Sequence, residues 1–188
     1  MIGAILGDMI GSPYEFIKDG NGKTKEFPLF VERSSFTDDS VMSIALADAL
    51  MEINDVTEEK VKKAVIESMQ RWGRKYPNAG YGGNFYGWIF DPNPQPYGSW
   101  GNGSAMRVSP IGWLYDTLEQ TREDFEDVIR TAVSLAGDCD TLTCIAGSIA
   151  EAFYGVPEEL KKECRKRLTD EMVEVVERFE DNFEVYYE

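Results

Sequence analysis

Phe36-Thr37-Asp38-Asp39-Ser40, running on into Val41-Met42-Ser43-Ile44-Ala45, is the stretch around which the chain is organised. A threonine and two adjacent carboxylates stand where a helix begins. Over Ser40 to Ile53, residues Val41, Ile44, Ala45 and Met51 are spaced to face inward. Gly137-Asp138-Cys139-Asp140-Thr141 repeats the arrangement ahead of an apolar helix from Leu142 to Tyr154. Taken singly, Thr37 and Asp140 read as helix N-caps, and the acids merely complement the positive helix end. Taken as a pair, they suggest something else. Hard divalent cations such as Mg²⁺ take oxygen ligands from carboxylates, hydroxyls and water. Two such clusters, far apart in sequence, can converge on one metal centre.

The helical pattern extends through most of the chain. Ile2 to about Ser12 reads as a buried helix in which Gly3, Ala4, Gly7 and Gly11 recur at helical spacing. Each glycine costs roughly 1 kcal/mol in a helix relative to alanine, so the stripe implies close approach of a neighbouring helix or a ligand. Pro13 ends this helix and leaves Tyr14 and Glu15 just beyond it, and Lys18 to Ser35 reads as an exposed loop. Thr57 caps a helix with Val61, Ala64, Val65, Met69 and Trp72 on one face.

From Tyr76 to Gly103, glycines and prolines preclude long regular structure, apart from a short turn near Asn84 to Ile89. Irregular segments of this length inside a domain are usually functional. This one is aromatic, and core packing explains most of its rings, leaving one or two to touch a ligand. Met106 to Leu118 reads as a helix, and Thr121 opens another with Phe125, Val128, Ile129, Ala132 and Val133 inward. Pro157 starts a further helix lined by Leu160, Cys164 and Leu168. Thr169 caps the last, with Met172, Val175, Val176, Phe179 and Phe183 as its stripe. No stretch alternates as a strand would, so an all-α fold is expected, with residues 1–188 as a single domain.

Composition removes several function classes. The formal charge is −15, which is unsuited to neutralising a nucleic-acid backbone. The chain has no histidine, which excludes His-ligated zinc and both Ser-His-Asp and Cys-His catalysis. Cys139, Cys144 and Cys164 form no CxxC pair, in keeping with a reduced, cytoplasmic protein. The opening Met1 to Asp8 lacks a basic leader, and its apolar run is broken by Asp8, so neither a signal peptide nor a membrane span is expected.

Four pieces in order carry a resemblance. They are Gly7-Asp8-Met9-Ile10-Gly11-Ser12-Pro13-Tyr14-Glu15, Phe36 to Ser40, Tyr97-Gly98-Ser99-Trp100-Gly101-Asn102-Gly103-Ser104-Ala105-Met106-Arg107, and Gly137 to Thr141. Together they resemble the ADP-ribosylglycohydrolase family, which includes dinitrogenase reductase-activating glycohydrolase. The resemblance implies a compact all-α orthogonal domain with two Mg²⁺ ions, replaceable by Mn²⁺, in a cleft. It implies cleavage of the glycosidic bond at ribose C1″ of ADP-ribosylated proteins or small molecules.

Carried over by position, Thr37, Asp38, Asp39, Asp138, Asp140 and Thr141 would hold metal. Glu15 and Asp39 would serve catalysis. Gly98, Ser99, Trp100, Gly101 and Asn102 would cradle the ADP-ribose phosphates and distal ribose. The residue types suit this chemistry. Glycosidic hydrolysis passes through an oxocarbenium-like state that uses carboxylates, and glycines let backbone N–H groups approach a diphosphate without basic side chains. As the bland alternatives, Ser99 and Asn102 are turn residues and Arg107 pairs with an acid.

Two departures from the family pattern stand out. Relatives carry a longer connection, with a Thr-His pair, between the Met106-Arg107 helix and the second acidic motif; here Trp113 is followed quickly by Thr121 and Asp138. Arginine-specific members also carry an acid in the loop corresponding to Tyr76 to Gly83, and this loop has none. Alternatives therefore stay open: a relative that binds ADP-ribose or metal without turnover, or a metal-dependent nucleotide phosphohydrolase. A shortened domain would also use a second copy, as a homo-oligomer, to cover exposed surface.

Overall fold

The computed structural model describes residues 1–15, 25–53, 57–99, 101–107, 110, 129 and 139–183. Among these residues the chain is helical, with no strand. The helices are α1 (Ile2–Gly11), α2 (Asp38–Glu52), α3 (Glu58–Lys75), α4 (Gly83–Phe90), α5 (Gly103–Met106), α6 (Cys139–Tyr154), α7 (Glu158–Arg165) and α8 (Asp170–Phe183). A 3-10 turn, Ser12–Tyr14, follows α1, with Pro13 in its first positions, where a missing N–H is tolerated. The helices expected over Met106 to Leu118 and from Thr121 fall largely outside the described residues.

Every residue of α1 is buried, and this helix is the axis of the molecule. Its main partner is α6, and α2 and α7 also pack on it. The glycine stripe explains the α6 contact. A side chain at Gly3 would overlap the carbonyl of Gly147, and one at Gly7 would overlap that of Thr143. Gly147 faces Gly3 in the same way, so the two backbones meet without side chains between them. The small residues therefore serve a helix rather than a ligand. The rest of α1 supplies Ile2, Ile5, Leu6, Met9 and Ile10 to the core. Burying each such side chain stabilises by about 1.5–3 kcal/mol.

α2 forms the second central element, against α3 on one side and α8 on another. Asp48, buried on α2, ties the three together. It accepts from Trp72 Nε1 at 2.9 Å and pairs with Arg71 of α3 and Arg178 of α8. The caps expected at Thr57 and Thr169 are present, each hydroxyl accepting a backbone N–H at 3.4 Å. Gly155 ends α6 with φ +65°, the left-handed conformation that favours glycine there.

Two boundaries differ from the sequence expectation. α2 begins at Asp38 rather than Ser40, and α6 begins at Cys139 rather than Leu142. Asp38, Asp39 and Asp140 thus lie inside the first turns, not ahead of them. The segment around Asn84 is also a full helix, α4, rather than a short turn. Its anchoring comes from α3. Gln70 Nε2 donates to the carbonyls of Trp88 (3.0 Å) and Asp91 (2.8 Å), and Arg74 Nε donates to that of Ile89 (2.9 Å). These bonds satisfy the open carbonyl end of α4. Tertiary contact overrides the glycines at 83 and 87.

Candidate metal centre and active site

The N-termini of α2 and α6 meet over the middle of α1. Carboxylate oxygens of Asp8, Asp39 and Asp140 come within 4.8 Å of one another, and all three residues are buried. Asp8 comes from α1, Asp39 from the first turn of α2 and Asp140 from the first turn of α6. The two helix dipoles favour negative charge at this point. They do not by themselves offset three desolvated carboxylates, because buried charges are otherwise paired or coordinate a metal. An all-oxygen donor set of this kind fits a hard divalent cation such as Mg²⁺ or Mn²⁺.

Hydroxyl and amide groups bind the cluster together. Thr141 Oγ1 donates to Asp39 Oδ2 at 3.4 Å and accepts from Asn102 Nδ2 at 2.9 Å. Asp140 Oδ1 accepts from Thr141 N at 2.9 Å. Asp8 Oδ1 accepts from Thr37 Oγ1 at 2.7 Å, and its Oδ2 accepts from Thr37 N at 2.8 Å. Ser40 completes this set, with its backbone N–H donating to Asp8 Oδ2 at 3.1 Å and its hydroxyl donating to the same oxygen.

Asp38 stands at the rim, half-buried, with its N–H bonded to the carbonyl of Ala79 at 2.7 Å. The adjoining Gly80 has φ +102°, which only glycine adopts readily, and so turns the loop across Asp38. Burial pushes the Asp38 carboxyl up to about 6, with Asp8 and Glu15 adding to the rise and Arg107 opposing it. Glu15 is therefore close enough to be felt at the same centre. Burial also raises Asp8, against the pull of its hydrogen bonds. Cys144, buried beneath the cluster, is pushed well up by burial and by Asp39, so its thiol stays protonated.

Among the described residues, Arg107 brings a positive charge to this rim. Its guanidinium lies over the Phe85 ring at 4.8 Å. Burial lowers its proton affinity, while Asp38, Tyr97 and Asp39 act to hold it charged. Arg107 thus serves as a nearby countercharge as well as a packing group. Tyr81 sits beside it, its hydroxyl pushed up by burial and then by Asp38.

Of the residues expected to hold metal, Asp39, Asp140 and Thr141 are brought into contact range. Thr37 and Asp38 flank them, and Asp138 lies outside the described residues. Of the expected phosphate cradle, Gly98, Ser99 and Gly101 are exposed, while the Asn102 amide turns inward to Thr141. Trp100 lies outside the described residues. The irregular aromatic segment divides. Tyr76, Tyr81, Phe85 and Trp88 pack on the core, whereas Tyr86, Phe90 and Tyr97 are 44%, 45% and 40% exposed.

Asp8 was not among the expected site residues. The available signal was a lone carboxylate within an otherwise small and apolar helix, which is rarely buried without partners.

Fold and site together define an all-α protein whose centre is a carboxylate cluster at two converging helix N-termini. More specifically, the chain belongs to the ADP-ribosylglycohydrolase family, whose sequence model matches residues 1–123 and 117–188. It is 27% identical over 205 residues to ADP-ribosylhydrolase ARH3 of Xenopus tropicalis, covering 93% of this chain and 55% of that protein. The chain thus spans about half the length of the curated relative it matches. Comparison with solved structures gives no significant match.

The family match comes in two pieces that overlap at residues 117–123. Among the described residues, no helix is long and apolar enough to cross a membrane.

Proposed function

We propose that this protein is a divalent-metal-dependent hydrolase that releases ADP-ribose by cleaving the glycosidic bond at ribose C1″. Its substrates are ADP-ribosylated protein side chains or small molecules. The observation that carries the reading is the meeting of Asp39 and Asp140, about a hundred residues apart, with Thr141 bridging them. Thr37, Asp38, Asp39, Asp138, Asp140 and Thr141 are the residues that would hold Mg²⁺, or Mn²⁺ in its place. Bound there, the metal supplies a Lewis acid able to orient sugar hydroxyls and acidify water.

The chain's own groups have separate tasks. Glu15, whose charge adds to the rise at Asp38, exchanges the proton with leaving group or water. Asp39, 2% exposed, acts by fixed position and charge. Asn102 orients Thr141 through its amide. Gly98, Ser99, Trp100 and Gly101 form the approach to the phosphates. The loop over Asp38 bears no acid to receive a guanidinium, so neutral oxygen-linked substrates suit it better than ADP-ribosyl-arginine. The free, buried thiols of Cys144 and Cys164 suit a reducing, cytoplasmic setting.

A second reading, a relative that binds without turnover, draws on the family match in two pieces and the half-length coverage. Mass spectrometry separates the readings. Peptides carrying ADP-ribosyl-serine or ADP-ribosyl-arginine, and free nucleotides, are incubated with and without Mg²⁺. Intact ADP-ribose formed only with metal supports the proposal. Cleavage at the diphosphate supports a metal-dependent nucleotide phosphohydrolase, and no product with binding retained supports the second reading.

A further inference from the structure

The three buried acids of the cluster are not equivalent. Asp8 has its oxygens already engaged: Thr37 N, Ser40 N and Ser40 Oγ all donate to Oδ2, and Thr37 Oγ1 donates to Oδ1. A carboxylate offers about four acceptor positions, and these four donors fill them. Two of the donors are N–H groups from the open end of α2, so Asp8 caps that helix from a different helix. The consequence for Thr37 is specific. A threonine hydroxyl has one hydrogen and two lone pairs. Its hydrogen is committed to Asp8 at 2.7 Å, and one lone pair faces Asp39 N at 3.4 Å. The remaining lone pair is thereby fixed in direction.

We infer that Asp8 is a positioning residue, not a ligand: it holds the Thr37 hydroxyl so that its oxygen, beside Asp39, faces a bound divalent cation. The inference rests on the reading of the acidic cluster as a cation site. Partners that orient a metal ligand typically contribute about 10–100-fold in metal affinity. Asp8→Asn replaces one acceptor oxygen by an NH₂ group, which then opposes the N–H and O–H donors of Thr37 and Ser40. The hydroxyl rotor of Thr37 is released.

The test is a double-mutant cycle on Mn²⁺ affinity, read by electron paramagnetic resonance of free Mn²⁺, with circular dichroism confirming that each variant is folded. The set comprises wild type, Asp8→Asn, Thr37→Val, the double variant and Asp39→Asn. Asp8→Asn and Thr37→Val should each weaken binding by about 10–100-fold, and the double variant should be no weaker than the worse single one. Additive losses would make Asp8 an independent ligand or charge, and overturn the inference. Unchanged affinity in folded Asp8→Asn would reduce it to a helix cap, and also overturn it.

If wild type binds and Asp39→Asn does not, the cation site stands whatever becomes of Asp8. If wild type itself does not bind Mn²⁺, both site and inference fall. Should Asp8→Asn not fold, Thr37 decides alone. Loss in Thr37→Val with retention in Thr37→Ser supports the inference, and wild-type affinity in Thr37→Val overturns it.

Discussion

Gly7→Ala is the most informative change to the scaffold, because it acts on the contact that brings the two acidic helices together. A side chain at Gly7 would overlap the carbonyl of Thr143 and approach Cys144 N within 2.7 Å. Both obstacles are backbone, so no rotamer change can relieve them. Alanine returns about 1 kcal/mol of helix propensity. Against this, overpacking of a rigid contact costs typically about 1–3 kcal/mol, and more where backbone must move. Because only backbone stands in the way, the cost lies at the upper end, about 3 kcal/mol, and the net destabilisation is about 2 kcal/mol, or a melting temperature lowered by roughly 4–8 °C for a domain of this size.

The displacement also reaches the site. Thr143 lies on α6 one turn after Asp140, so moving α6 away from α1 separates Asp140 from Asp8 and Asp39. Mn²⁺ affinity should therefore fall together with stability. Gly87→Ala is the control. It lies exposed in α4 with nothing within 4 Å of the added carbon, and should stabilise by up to about 1 kcal/mol. Thermal melting by circular dichroism and Mn²⁺ titration read both effects. A Gly7→Ala protein that melts at or above wild type would refute the close-contact account of the α1–α6 pair.

Three further outcomes are expected. Glu15→Gln should cut turnover by about 10²–10⁴ while leaving Mn²⁺ affinity within about tenfold of wild type, and undiminished turnover would remove Glu15 from proton transfer. In chelator, Asp38 takes up a proton on folding between its ordinary value of 3.8 and about 6. Its contribution thus favours folding at low pH and is lost as pH rises through about 6, by about 1–3 kcal/mol after allowance for solvent screening. Melting of wild type against Asp38→Asn from about pH 4 to pH 7 should show wild type losing ground with rising pH. With Mg²⁺ that trend should flatten or reverse, since a cation favours the ionised acid. A pH-independent difference in chelator would contradict this. Asp140→Asn keeps an acceptor for Thr141 N but removes a charge. Wild type should gain several degrees on adding Mg²⁺, about 2.7 kcal/mol at a hundredfold excess over Kd, and the variant much less; equal gains would place the cation elsewhere.

The parts of this architecture that were legible in the sequence are those set by local physics. Thr57 and Thr169 cap where their spacing says, and Gly155 stops α6 because a left-handed residue ends a helix there. The twin Thr/Asp patterns foretold the meeting of Asp39, Asp140 and Thr141, since each places acids at a positive helix end. What escaped reading depends on partners distant in sequence. The bonds of Asp8 go to residues 29 and 32 positions away. α4 forms despite its glycines because α3 supplies its C-terminal hydrogen bonds. The bond from the Asn102 amide to Thr141 likewise joins residues 39 positions apart. Composition alone could not tell inward rings such as Trp88 from outward ones such as Phe90, because both occur in one glycine-rich run.

The central claim is that one cation site, built from the two acidic helix ends, supports release of ADP-ribose. Its most direct test is to follow Mn²⁺ binding and ADP-ribose release from an ADP-ribosyl-serine peptide over one Mn²⁺ titration, with wild type and Asp39→Asn side by side. The account predicts that release rises along the binding curve of wild type, and that Asp39→Asn loses binding and release together. Release that proceeds in chelator, or at Mn²⁺ concentrations where no ion is bound, would contradict it.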